Sequence, residues 1–196
     1  MKALLIFSVA VFVASAQQCK PRFHYWRPFN GTIPNDAFVA STDQDGKRSF
    51  VAKIVPMDQY SWTVPTQFTE GTCNHLEFAW CCKSDNTVMR VDEFIEILCT
   101  DTPQNLSWRK VNAFASEISS KCCMVQGGIG WYGDRIYRAF IGKGLRENRN
   151  FIGRIYLEHE WPGVHIMDGA TSTKIYKNFE VLTYDCEEKE NVVPVV

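Results

Sequence analysis

The stretch FVASTDQDGKRSFVAKIV, residues 38–55, sets two β-rich runs on either side of Asp43-Gln44-Asp45-Gly46. Alternation of apolar and polar residues with period two marks a strand with one buried face. Asp-Gly between two such runs is a strong two-residue hairpin signal, because glycine takes the positive φ of the turn without steric cost. The stretch therefore reads as a hairpin with Asp45 and Gly46 at its tip. An EF-hand reading of the paired aspartates fails, since the twelfth position counted from Asp43 must supply a bidentate glutamate and is Ile54.

Similar runs recur along the chain: FIEIL at 94–98, RIYRAFI at 135–141, RIYLE at 154–158, VHIM at 164–167 and FEVLTY at 179–184. They are rich in β-branched and aromatic residues and are bounded by Gly, Pro, Asn and Asp, which is the pattern of strands. VDEFIEIL at 91–98 is the best helical candidate, and its β-branched end argues against a helix. The class is all-β, a sandwich or barrel of short strands. The runs also repeat. FVAKI at 50 returns as FIGKG at 140, VPTQF at 64 faces FIGRI at 151, FIEILCTD at 94 returns as FEVLTYD at 179, and each half begins near a tryptophan, Trp26 or Trp108. Ordered matches at a nearly constant offset indicate a duplicated unit.

The chain opens MKALLIFSVAVFVASAQQ, with one lysine, an apolar run and a small-residue site at Ala14-Ser15-Ala16, the pattern of a cleaved secretory signal over residues 1–16. The run is too short for a membrane span, which needs about 18 continuous apolar residues. All eight cysteines, Cys19, Cys73, Cys81, Cys82, Cys99, Cys122, Cys123 and Cys186, lie beyond it, and an even count in an exported chain reads as disulfides. Composition does not choose their pairing; Cys19 and Cys186 bracket the mature part, and a bond between them would tie its ends together. The spacings lack two facing C-x2-C pairs, which argues against zinc. Asn30-Gly31-Thr32 and Asn105-Leu106-Ser107 are glycosylation sequons and predict surface positions. With 21 basic against 22 acidic residues and no basic stripe, nucleic acid is not an expected partner. The tail after residue 186 reads as loose.

The run W-R-P-F-N-G-T-I-P-N-D-A-F-V-A-S-T-D-Q-D-G from Trp26 resembles the DM-nine repeat family, whose units run tryptophan, G-x-I-P-x-x-A-V, G-G-x-D-x-D-G, P-G-K-V and a closing Y-E-V-L. Gly31, Ile33, Pro34, Ala37, Asp43, Asp45 and Gly46 match in order; the second half supplies Gly127-Gly128, IGRI and FEVL at 179–182. The resemblance covers residues 26–184. It implies a β-sandwich of two tandem pseudo-symmetric repeats, residues 17–101 and 102–186, joined by exchanged strands, to which the cysteine count adds disulfide links. It also implies, for members that are mannose-binding lectins, a sugar held between the aspartate of G-G-x-D and the lysine of P-G-K-V.

Carried over residue by residue, the aspartate is Asp43 and the lysine position is Gln67. In the second half Gly130 replaces the aspartate and Arg154 takes the cationic position. Each repeat thus keeps one polar partner: either the sites have decayed, or Asp43 and Arg154 form a composite site. An ionised carboxylate accepts from neighbouring sugar hydroxyls while a cation donates, so the chemistry suits a hexose. HEWPGVH at 159–165 is no zinc-protease motif, because its second histidine is too far along and Pro162 would break the helix. With all thiols oxidised no nucleophile stands out. Trp62, Trp80, Trp131, Tyr132 and Trp161 suit sugar stacking, with core packing as their default. The expected role is a secreted, non-catalytic, cofactor-free binder of carbohydrate or glycoprotein surfaces. A protein-contact module on the same scaffold is the alternative, and a homodimer is left open because weak sites gain from multivalency.

Overall fold

The structure, a computed structural model, describes residues 19–54, 63–71, 75–79, 88–112, 115, 118, 121–132, 135–157, 163–168 and 171–186. The expected signal segment, Cys73, Cys81, Cys82, Trp62, Trp80, Trp161, His159 and the tail lie outside the described residues, as do the side chains of Trp131 and Tyr132.

The fold is an all-β sandwich. Its first sheet holds Tyr25–Pro28 (β1), Val39–Thr42 (β2), Arg48–Ile54 (β3), Val64–Thr69 (β4) and Ile95–Cys99 (β7), while Leu76–Ala79 (β5) and Val88–Val91 (β6) form a separate antiparallel pair. The second holds Ser107–Val111 (β8), Cys123–Met124 (β9), Gln126–Tyr132 (β10), Arg135–Arg146 (β11), Arg149–Ile155 (β12), Val164–Asp168 (β13), Thr171–Ile175 (β14) and Phe179–Tyr184 (β15).

The pairing of the first sheet recurs in the second. One edge of β3 is lined by β4 and the other by β2 and then β7, which carries β1. In the same way β11 is lined by β12 on one edge and by β10 and then β15 on the other, with β8 beyond β15. The register transfers as well: Val51 faces Gln67 as Ile141 faces Arg154, and Lys53 faces Glu96 as Lys143 faces Glu180.

Period-two alternation sends the two sides of each sheet into different cores. Phe50, Ala52, Ile54, Phe68, Ile95 and Ile97 pack within the first half, and Phe140, Phe151, Ile155, Phe179 and Val181 within the second. The opposite faces meet in a shared core that includes Phe38, Val51, Leu98, Ile141, Ile152 and Leu182. Full burial of each of the aliphatic side chains contributes roughly 1.5–3 kcal/mol, so neither half can keep its inner face without the other.

Two close approaches hold the halves together. At Gly128 an added Cβ would lie 1.9 Å from the Thr63 carbonyl oxygen, and at Gly127 it would lie 2.6 Å from the Pro65 ring. The glycine pair thus admits the Thr63–Pro65 segment of the first half, and Thr63 N–H donates to Ile129 O at 2.9 Å. Within the second sheet Gly153 does the same for β13, where a Cβ would stand 1.9 Å from the His165 carbonyl oxygen.

Several expectations are corrected. Among the described residues the bonds are Cys19–Cys123 and Cys122–Cys186, not Cys19–Cys186. Adjacent residues of an extended segment point to opposite sides, so the vicinal pair takes one chain end each. Tyr184 opposite Cys123 in the β15–β9 register brings the C-terminal arm there. The first bond spans 104 residues, worth about 4–5 kcal/mol in the chain-entropy account. Cys99 is a buried free thiol rather than a half-cystine, its S–H directed at Ile97 O; burial, then the charge of Asp36, pushes it up to about 11. RIYLE is cut short, because β12 ends at Ile155. VDEFIEIL, by contrast, is as its β-branched end argues: it spans the end of β6 and β7, with Phe94 at φ 55 between them.

Gly153→Ala will lower stability by about 2 kcal/mol or more, since the clash is with backbone that cannot swing away. Gly46→Ala, at φ +81 in open space, will cost only about 1–2 kcal/mol. Urea midpoints of the two variants check the order.

Candidate functional site

Asp43 directly follows β2 and organises the loop there. Its N–H donates to Lys47 O at 3.0 Å, its carbonyl accepts from Gly46 N–H at 3.2 Å, and Thr42 faces Arg48. The loop is therefore three residues, Gln44–Gly46, with Gly46 left-handed, rather than a two-residue turn at Asp45-Gly46. The third residue is accommodated because Asp43 Oδ1 accepts from the N–H groups of Asp45 (3.0 Å) and Lys47 (2.8 Å), an Asx arrangement. Oδ2 has no hydrogen-bond partner among the described residues. The carboxylate is thus fixed by one oxygen and open at the other.

Gln67 lies on β4 opposite Val51. Its amide nitrogen donates to Ser49 Oγ (3.1 Å) and Thr69 Oγ1 (3.0 Å), and its oxygen accepts from Ile152 N–H of the second half at 2.9 Å. Both amide hydrogens are committed.

Asp43 and Gln67 line one cavity of about 620 Å3. Its far wall is the β11–β12 hairpin, whose turn residues Glu147 and Asn148 take φ 50 and 60 between the paired Arg146 and Arg149. Arg149 lies over the Phe151 ring at 5.2 Å and reaches Asp168 at 3.3 Å. Hydroxyls of Ser41, Thr42, Ser49 and Thr69, with Asn150, complete a polar lining drawn from both halves.

Arg154 is not part of this cavity. It is 4% exposed, faces Ile141 and His165 across its neighbours, and its Nε and Nη2 have no hydrogen-bond partner among the described residues. The structure does not bring Asp43 and Arg154 into one pocket. Pseudo-symmetry explains why Arg154 cannot copy Gln67. Ile152 faces Lys143 as Pro65 faces Lys53, so the position that offers Gln67 an N–H is, in the mirrored place, a proline without one. The carboxylate is missing there too, because Ile129 faces Arg138 as Thr42 faces Arg48, which gives Gly130 the place of Asp43.

Two features went unread in the sequence. The hairpin at 146–150 supplies a wall to the other repeat's site, although RENRN between two apolar runs is a turn signal. Each half also holds a tryptophan, lysine and glutamate together: Lys53 Nζ is 4.4 Å from the Trp26 ring and 2.9 Å from Glu96, and Lys143 Nζ is 4.5 Å from Trp108 and 2.7 Å from Glu180. The lysines of FVAKI and FIGKG mark it, but the partners are distant in sequence. Asn30 and Asn105 of the sequons are both exposed.

No protein-family model matches the chain, and no curated protein matches it significantly. Among the described residues no cluster of His, Cys, Asp or Glu could hold a metal ion, and no helix is long and apolar enough to cross a membrane.

Gln67→Leu strands the Ile152 N–H and will cost about 1–3 kcal/mol. Asp43→Asn keeps the Oδ1 acceptor and will be nearly neutral. Denaturant titration of the two variants separates the cross-half link from the loop carboxylate.

Proposed function

We propose that the protein is a secreted, non-catalytic carbohydrate binder related to the DM-nine repeat family, with its site at Asp43 and mannose-type glycans, in defence at microbial or host surfaces, as the ligand class. The observation that carries this is the cavity that places Asp43, held by its loop with one carboxylate oxygen open, beside Gln67 and a wall of side chains from the other repeat. A carboxylate of this kind accepts from two vicinal hydroxyls, and Asn150, Lys47 and the hydroxyls of Ser41 and Thr42 supply donors around it. Disulfides at both chain ends support the secretory route.

One observation favours a second reading, a secreted module that acts through protein contacts. The family's cation is replaced by Gln67, whose amide hydrogens are held by Ser49 and Thr69, so recognition from this half rests on Asp43 and the second-repeat hairpin.

The test is a glycan array that includes mannose-terminated structures, probed with oxidised protein and with Asp43→Asn, which preserves the loop. Binding that falls about tenfold or more in the variant supports the lectin reading. A blank array with folded protein, or a signal indifferent to Asp43→Asn, overturns it and leaves the protein-contact reading.

A further inference from the structure

A second cavity, of about 520 Å3, opens where β1, β3, β10 and β11 meet. Among the described residues its lining carries Lys53, Arg138 and His24 and no carboxylate, whereas the cavity at Asp43 sets Asp43, Asp45 and Glu147 against Lys47 and Arg149. The second cavity is thus basic where the first is mixed.

The three basic groups differ in what holds them. Lys53 shares its charge with Glu96 at 2.9 Å and rests over Trp26. Arg138, exposed on β11 opposite Ile129, has no ion-pair partner among the described residues. His24 Nδ1 lies 2.8 Å from the Arg22 carbonyl oxygen. A carbonyl can only accept, so Nδ1 carries the proton and Nε2 is left to accept when neutral and to donate when protonated. Met124, Ile129 and Phe140 add an apolar flank. A guanidinium without a counter-ion, a lysine, a titratable imidazole and an apolar flank are the parts needed to hold a charged group on an organic body.

We propose that this cavity binds a small organic oxyanion, a carboxylate or a sulfate or phosphate ester, with its charged group at Arg138, Lys53 and His24 and its body against Met124, Ile129 and Phe140. The site does not depend on sugar binding at Asp43. Binding is linked to protonation of His24. Burial, opposed by the Arg22 carbonyl and reinforced by the charge of Lys53, holds that imidazole below its ordinary value. The other charged or titratable groups around it are Arg138, the Arg22–Asp185 pair and Tyr184, whose ring centroid is 5.7 Å away. An anion favours the charged ring, so affinity rises as pH falls and the His24 pKa rises on binding.

The experiment titrates the oxidised full chain with phenyl phosphate, phenyl sulfate and benzoate by calorimetry, with benzyl alcohol and inorganic phosphate as controls, and follows His24 by NMR. Saturable binding of the phenyl anions that weakens tenfold or more in Arg138→Gln, is abolished in Arg138→Glu and is unchanged in Asp43→Asn supports the proposal, as does an upward shift of the His24 titration on binding. Arg138 is exposed, so its variants are expected to fold, which circular dichroism verifies. Absence of saturable binding, equal affinity in Arg138→Gln, or equal affinity for benzyl alcohol overturns the anion site. Equal affinity for inorganic phosphate overturns the role given to the apolar flank.

Discussion

The close approach of the Thr63–Pro65 segment to Gly127-Gly128 is the constraint on which the arrangement of the two halves rests. A side chain on either glycine would meet the Thr63 carbonyl or the Pro65 ring. Because the strands come this near, the faces carrying Val51 and Leu98 on one side and Ile141, Ile152 and Leu182 on the other can merge into one core. The energetic consequence is cooperativity. Each half has its own outer core, but the inner face of each is buried only by its counterpart, so opening the seam exposes apolar area on both. The disulfides reinforce this by anchoring Cys19 and Cys186 to the adjacent, buried Cys123 and Cys122.

A duplicated scaffold does not enforce duplicated chemistry. Gln67 and Arg154 occupy the same register position, yet one bonds across the seam and the other is buried with two orphaned nitrogens. The difference traces to a single backbone donor, present at Ile152 and absent at Pro65. A carboxamide at position 154 would find no N–H at the mirrored position, Pro65. The amide of Gln67 has in turn become a structural link, which shifts recognition at the first cavity toward Asp43 and the hairpin of the other repeat.

The hairpin and the strand runs at 50–54, 94–98, 164–167 and 179–184 were legible because period-two alternation and β-branched content act locally. The equivalence of Gln67 with Arg154, and of Asp43 with Gly130, was legible through the offset of the repeats. The length of the loop at Asp43 was not, because it is set by two hydrogen bonds to Oδ1, and Asp-Gly alone suits both a two-residue and a three-residue loop. The disulfide pairing was not legible either: it depends on β9 lying beside the end of β15, a long-range relation that cysteine spacing does not encode. Nor was Cys99 as a thiol, which follows from its full burial on β7.

The Trp-Lys-Glu groupings show how the fold sets local charge. On each half a lysine from the central strand lies over a tryptophan from the first strand and reaches a glutamate from the last, so three distant segments are joined by one partly buried ion pair and one cation–π contact. In the first half the lysine also lines the basic cavity; in the second, Lys143 and Glu180 together line a smaller one, of about 340 Å3. Among the described residues Glu180 lines the second cavity with its lysine, whereas Glu96, though 2.9 Å from Lys53, does not line the first, so one cavity includes both members of the ion pair and the other only its lysine. The duplication supplies the grouping, and the residues around it, Arg138 and His24 in one cavity and Lys110 in the other, complete the charge each offers.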